Sequence, residues 1–188
     1  MVKKYLIKIP KNVSVVYDNE KKLLVLIGPV KTEIVTLKLK INIKNDLNSI
    51  EITSEFFDLV SNYSKKNTKA LQGTTVSLIK QVLLQISCVV YRKLKFVGVG
   101  YRAFPVNGLS DKVMMFKLGY SHPVYFKISD KLKFFCLKFT KLFVYGNSYQ
   151  NVFQTASQIR LCKSPEPYKG KGILYENEKI ILKEGKKV

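Results

Sequence analysis

Short apolar runs and polar breaks alternate along the first half of the chain. Residues 13–17, 23–27, 34–43 and 49–56 read as strands, punctuated by Asp18-Asn19-Glu20, Gly28-Pro29 and Asn45-Asp46. The third has the cleanest period of two: Val35, Leu37, Leu39, Ile41 and Ile43 share one face, and Lys38, Lys40 and Lys44 the other. The period then changes. Val76, Ile79, Leu83, Ile86 and Val90 recur at spacings of three and four, flanked by Val82 and Val89, which predicts an amphipathic helix packed on a sheet.

The second half repeats the plan. Residues 93–104 and 113–118 flank Asn107-Gly108, a strong type I′ hairpin signal. Further strands are expected over 123–128, 132–137 and 142–145. Gly146-Asn147-Ser148 supplies a break and a helix N-cap. Val152, Ala156 and Ile159, with Phe153 beside them, mark a second helix to about Cys162. The two helices begin roughly eighty residues apart, as in an internal duplication. The expected fold is α+β, with two duplicated small domains, each an antiparallel sheet covered by one helix. The boundary falls near Val90-Tyr91, giving residues 1–90 and 91–188.

Charge narrows the function. Of 188 residues, 33 are Lys or Arg and 13 are Asp or Glu, a formal net charge of +20. Solubility needs far less charge of one sign, and the self-repulsion is relieved when a polyanion neutralises it. Nucleic acid is the first partner this implies and an anionic membrane surface the second. A membrane-lying helix needs a basic polar face, whereas that side of the first helix is mostly Gln, Ser and Thr. No run of roughly eighteen apolar residues exists to cross a bilayer. Residues 1–90 hold 14 basic and 7 acidic side chains, and 91–188 hold 19 and 6, so the second half is the expected polyanion face.

Cys88, Cys136 and Cys162 show no metal or disulfide spacing and read as small apolar core or interface residues in a reducing compartment. The amino terminus lacks a signal-peptide h-region and an Arg- and Ser-rich transit pattern. Basic residues are nearly all Lys, the exceptions being Arg92, Arg102 and Arg160, and Phe, Tyr, Ile and Asn are plentiful. That bias fits AT-rich codons, and an organelle's own genome is one source of them.

Catalytic constellations are missing. Gly98-Val99-Gly100-Tyr101-Arg102-Ala103 matches a dinucleotide fingerprint formally, but Phe104-Pro105 and a hairpin follow instead of a helix, and position 120 is Tyr rather than an acid. Those glycines fit places where another backbone or an RNA phosphate comes close. His122 is the only histidine and sits in a turn, Gly119 to Pro123, as a solvated or RNA-facing residue. No enzyme, cofactor, metal or small-molecule substrate is expected. Near the carboxyl terminus, Ser164-Pro165-Glu166-Pro167-Tyr168-Lys169-Gly170-Lys171-Gly172 reads as an extended basic loop, with Lys183 to Lys187 beyond it. It is either a solvated loop or one that lays amides and ammonium groups along phosphates, with Tyr168 stacking on a base or ribose.

Three segments, in this order and spacing, carry a resemblance: Gly98 to Ala103, Leu118-Gly119-Tyr120-Ser121-His122-Pro123, and Pro165-Glu166-Pro167-Tyr168-Lys169-Gly170-Lys171-Gly172-Ile173. Together they resemble the ribosomal protein L-six family of the large subunit. Ile9-Pro10 with Val13, and Gly28-Pro29, match its amino-terminal pattern more loosely. The resemblance implies two duplicated α+β domains and binding to large-subunit rRNA, mainly through the second domain. It further implies a place near the stalk base and the sarcin–ricin loop, neighbouring ribosomal proteins as partners, and no homo-oligomer. On matching positions, Arg160, Lys163, Tyr168, Lys169, Gly170, Lys171 and Gly172 would line the rRNA contact, with Arg102 and the turn Tyr120, Ser121 and His122 near it. The chain departs from the family at Leu174, where a basic residue is usual, at Ser164, and at Val30-Lys31, where lysine and glycine are usual. The composition points to a mitochondrial ribosome, with bacterial cytoplasm or plastid as alternatives.

Overall fold

The computed structural model describes residues 5–44, 47–57, 67–106 and 113–185. The turns expected at Asn45-Asp46 and Asn107-Gly108, and Lys186-Lys187, lie outside them. The chain forms two compact units, Met1–Val89 and Val90–Val188.

The first unit holds strands β1 (Leu6–Lys8), β2 (Ser14–Asp18), β3 (Leu23–Ile27), β4 (Thr32–Thr36), β5 (Leu39–Lys44) and β6 (Ser49–Phe56), then helix α1 (Thr68–Ser87). They make two antiparallel three-stranded sheets, ordered β1-β6-β5 and β2-β3-β4. Leu24, Leu26, Leu39 and Ile50 from the strands and Ile79 and Ile86 from α1 are fully buried at its centre.

Two expectations need correction here. The single strand expected over 34–43 is two, β4 and β5, in different sheets. The Leu37 amide still bonds the Lys22 carbonyl (2.9 Å), one step past the Leu23–Thr36 pair that ends β4, while Leu37 and Leu39 both stay in the core. The apolar alternation therefore runs unbroken through a change of sheet. The helical stripe also stops early: α1 ends at Ser87, Val89 is exposed and Val90 begins the next strand. Cys88 is already extended, and the β-branched pair after it favours a strand. Cys88 lies beyond the packed face of the helix and is exposed, so of its two readings, core and interface, the core does not hold it.

The second unit holds β7 (Val90–Val97), β8 (Arg102–Pro105), β9 (Val113–Lys117), β10 (Val124–Lys127), β11 (Leu132–Lys138), β12 (Lys141–Gly146), α2 (Tyr149–Cys162) and β13 (Gly172–Tyr175). One antiparallel sheet is ordered β11-β12-β7-β13 and a second β10-β9-β8. Helix α2 lays the fully buried Val152, Ala156 and Ile159 on the four-stranded sheet. The guanidinium of Arg92 sits 4.1 Å above the Phe153 ring, a cation–π contact that ties β7 to the helix. The mixed α+β architecture of repeated sheet-plus-helix units agrees with the expectation from periodicity. The strand expected over 93–104 is again two, broken at residues 98–101 between the sheets. Strand β13 was not foreseen, since four residues within a Gly- and Pro-rich stretch carry little pattern of their own.

Candidate nucleic-acid interface

The carboxyl-terminal end of α2 organises this region. The last helix carbonyls lack intrahelical partners and carry the negative end of the dipole, so donors and cations are favoured there. The hydroxyl of Tyr120, in the β9–β10 turn, donates to the Cys162 carbonyl (3.1 Å). The Lys163 ammonium lies 4.0 Å from the centre of the Tyr120 ring, and the His122 ring runs nearly parallel to it, 5.8 Å away and tilted by 13°. One hydrogen bond thus pins a turn some forty residues upstream to the helix end, and gathers Tyr120, His122 and Lys163 into one group.

From Lys163 the chain makes a closed loop rather than the extended run expected. The Ile173 amide donates to the Lys163 carbonyl (3.0 Å) and closes its base. Inside it, the Glu166 amide donates to the Lys171 carbonyl (2.9 Å), and the Gly170 amide to the Glu166 carbonyl (3.0 Å). Pro165 and Pro167 stiffen the entry, but the backbone of 167–169 turns, because the glycines beyond them let the chain fold back. Gly172 is buried at φ +152°, and a Cβ there would stand 2.5 Å from Pro165 Cα. That packing requires glycine. Tyr168 (53% exposed) and Lys169 stand out at the tip, with Lys171 half-buried on the flank.

The tail braces this loop. The Lys183 amide donates to the Pro167 carbonyl (2.9 Å). Arg160 does not point into the loop: its guanidinium makes a two-pronged pair with Glu178, through Nε (2.9 Å) and Nη2, and that carboxylate also accepts from the Tyr175 amide (3.1 Å). The hydrogen bond from Arg160 holds the Glu178 carboxyl below its usual range, with the Tyr175 amide adding to the effect. Sequence reasoning missed Glu178. It stands out only as a carboxylate in a strongly basic segment, a cue to pairing but not to the partner.

Arg102 is exposed on β8, directly opposite Lys117 of β9. Lys117, Tyr120, Ser121 and His122 line an open recess of about 600 Å³ beside the turn. The region therefore has two parts, the loop tip and this recess, joined at Tyr120 and Lys163. At Gly98 the nearest neighbour is a side chain rather than another backbone: the buried Tyr101 ring stands within 2.8 Å of where a Cβ on Gly98 would stand and 3.1 Å for Gly119, while nothing lies within 4 Å of a Cβ on Gly100. Two of the three segments that carry the resemblance are thus joined through one ring. In the first unit, Lys31 is held between Glu33 and Gln85 (Nζ to Gln85 Oε1, 3.1 Å), an internal tie.

Among the described residues no group of three His, Cys, Asp or Glu side chains could hold a metal ion. No helix among them is long and apolar enough to cross a membrane. Burial raises the Cys136 and Cys162 thiols above their ordinary value, which keeps them protonated and packed against the core.

Comparisons with known proteins show the family. Residues 97–176 match the family described as Ribosomal protein L6, a span holding the Tyr101 cluster, the turn and the closed loop. The chain is 41% identical to the large ribosomal subunit protein uL6 of Mycoplasmoides gallisepticum, over 96% of this chain and 92% of that one. It is 35% identical to uL6m of Reclinomonas americana, over 96% and 95%, and 32% identical to uL6 of Bordetella avium, over 99% and 98%. Identity at this level across nearly the whole of both chains shows that the protein belongs to the L6 (uL6) family of large ribosomal subunit proteins, structural components of the ribosome and not enzymes.

Proposed function

We propose that the chain binds and stabilises folded large-subunit rRNA near the factor-binding stalk base and the sarcin–ricin loop, mainly through its second unit. The observation that carries this is the closed loop 163–173. It raises Tyr168 and Lys169 on a hydrogen-bonded frame at the end of a helix, with Lys163 and Lys171 at its sides. A rigid frame places its cations without a large ordering cost, and release of counterions from rRNA drives association. Tyr168 offers a flat face to a base or ribose, and Arg102, Tyr120, Ser121 and His122 extend the contact. Gly170 and Gly172 shape the loop, and Arg160 positions it through Glu178. Phosphate and shape contacts dominate, as expected for a protein that fixes folded RNA.

The test is binding of a large-subunit rRNA fragment across a salt series. Changing Lys169 and Lys171 together to Ala should weaken binding and flatten the slope of log K against log salt by up to about two units. An unchanged slope refutes the assignment of these lysines. For compartment, the Lys-rich composition and the likeness to a mitochondrial uL6m support a mitochondrial ribosome. The likeness to the mycoplasmal uL6 supports the bacterial alternative. Sedimentation of fractionated extract through a high-salt gradient, with the chain followed by mass spectrometry, decides between them. One copy per large subunit in the mitochondrial fraction is the expected result.

A further inference from the structure

A second surface in the same unit takes no part in that reading. Strand β11 is the edge of the four-stranded sheet, and β8 is the edge of the three-stranded one. Between them runs an apolar groove of about 700 Å³, lined by residues 134–139, residues 103–105 and Met114. The lining takes consecutive residues from each strand. A groove across one face of a sheet touches every second residue, so this one follows the strand edges.

The two edges are unlike. On β8 the Ala103 amide is already bonded to the Phe139 carbonyl (2.7 Å), and Pro105, two residues on and facing the same way, has no N–H to give. On β11 no strand among the described residues pairs with the outer edge. Soluble proteins usually blunt such an edge with lysine, proline or a bulge. Strand β11 carries Lys133, Lys138 and a register shift between Cys136 and Lys138, yet it also leaves Phe135, Leu137 and Phe139 55%, 56% and 61% exposed.

We propose that the outer edge of β11 receives an extended acidic segment of another protein, which joins the sheet as a further strand. Its alternate side chains drop into the groove against Phe135 and Leu137, and its carboxylates meet the rim. Charge decides the partner's sign. Lys131, Lys133, Lys138 and Lys141 stand exposed around β11, and residues 127–148 contain five lysines and one carboxylate, Asp130. A second copy of this chain pairing edge to edge would set lysines against lysines, so the occupant is not another copy. The rings of Phe135 and Phe139 and the Lys138 ammonium would also suit a nucleotide, but the unpaired row of amides and carbonyls on the outer edge of β11 pairs with a peptide backbone and not with a ribose-phosphate one.

The test uses the full chain and an end-capped eight-residue peptide of alternating Glu and Val, labelled with fluorescein and followed by anisotropy. The expected result is saturable binding with new amide-exchange protection at residues 134–138. Binding should fall at least about tenfold when alternate amides along one edge of the peptide are N-methylated, but not along the other. Changing the exposed Lys133 and Lys138 to Glu should turn the preference towards a Lys-Val peptide. Three outcomes overturn the proposal: equal binding of Glu and Lys peptides by the unaltered chain, indifference to N-methylation, or protection outside β11. Protection of the same amides by oligouridylate in preference to the peptide assigns the edge to RNA instead. Because Lys169 and Lys171 lie outside the groove, their Ala variant should leave peptide binding unchanged even where it loses rRNA.

Discussion

Gly172 offers the sharpest perturbation of the loop. A Cβ added there would stand 2.5 Å from Pro165 Cα, 2.8 Å from Pro165 N and 3.0 Å from Ser164 C, all of them backbone atoms that cannot swing aside. The residue also holds φ +152°, where a side chain is strained by about 1–3 kcal/mol. Forcing the contact open adds about 1–3 kcal/mol more, as for an overpacked core. Gly172→Ala should therefore destabilise this region by at least about 2 kcal/mol, the larger share if β13 cannot slide along β7. Relief comes by breaking the Ile173–Lys163 strap or by shifting Gly172 from its place opposite Val97. Either movement displaces Tyr168, Lys169 and Lys171 relative to α2.

Because the chain forms two units, a single unfolding curve is the wrong instrument, and amide hydrogen exchange is the right one. The Ile173 amide should exchange roughly thirtyfold faster, following from about 2 kcal/mol. Amides of the first unit should be unchanged. Gly73→Ala is the control of opposite sign. That glycine lies within α1 with nothing within 4 Å of its missing Cβ, so alanine should stabilise the helix by about 0.5–1 kcal/mol. An unaltered Ile173 exchange rate in Gly172→Ala would refute the argument that the glycine is required by packing.

Two further substitutions separate bracing from binding. Tyr120→Phe removes the hydrogen bond to Cys162 but keeps the ring under Lys163; it should cost about 0.5 kcal/mol, the low end for a bond that water can replace at a half-exposed site, seen as roughly twofold faster amide exchange in the second unit. The salt slope of rRNA binding should not change, because the hydroxyl carries no charge, and a changed slope would mean that the bond holds Lys163 on a phosphate. Glu178 has its carboxyl lowered by Arg160, so its contribution to stability is present above its ordinary value of 4.5 and is lost as pH falls through the folded value. Glu178→Gln should therefore be less stable than the parent at neutral pH and converge with it in acid; a constant difference down through that range would sink the assignment.

Much of the fold was legible because periodicity is a local property. The strand at residues 23–27 and the one at 49–56 match their apolar runs, and α2 ends at Cys162 where its stripe ends. The misplaced strand and helix boundaries share one cause. At Leu37-Lys38 and at residues 98–101 the chain passes from one sheet to another while its apolar residues stay in the same core, so the pattern gives no sign of the break. For the same reason Val89 and Val90 continued a helical stripe on paper although their β-branched side chains are better suited to a strand.

By itself the sequence determined the class of the protein, its charge and its family. The amphipathic periods demand an α+β core, +20 demands a polyanion, and the glycine, proline and lysine spacing of the last loop is too specific to arise from composition. Only the tertiary structure decided what each of those residues does. Arg160 and the loop lysines look alike in sequence, yet Arg160 is held by Glu178 eighteen residues away while Lys169 projects from the loop tip. Gly98 looks like a backbone contact, yet a tyrosine ring occupies its space, and the same ring fills that at Gly119. The edge of β11 is invisible in the chain, because whether a strand has one neighbour or two depends on segments far from it in sequence. Secondary structure answers to spacing along the chain, whereas pairing and exposure answer to contacts across it.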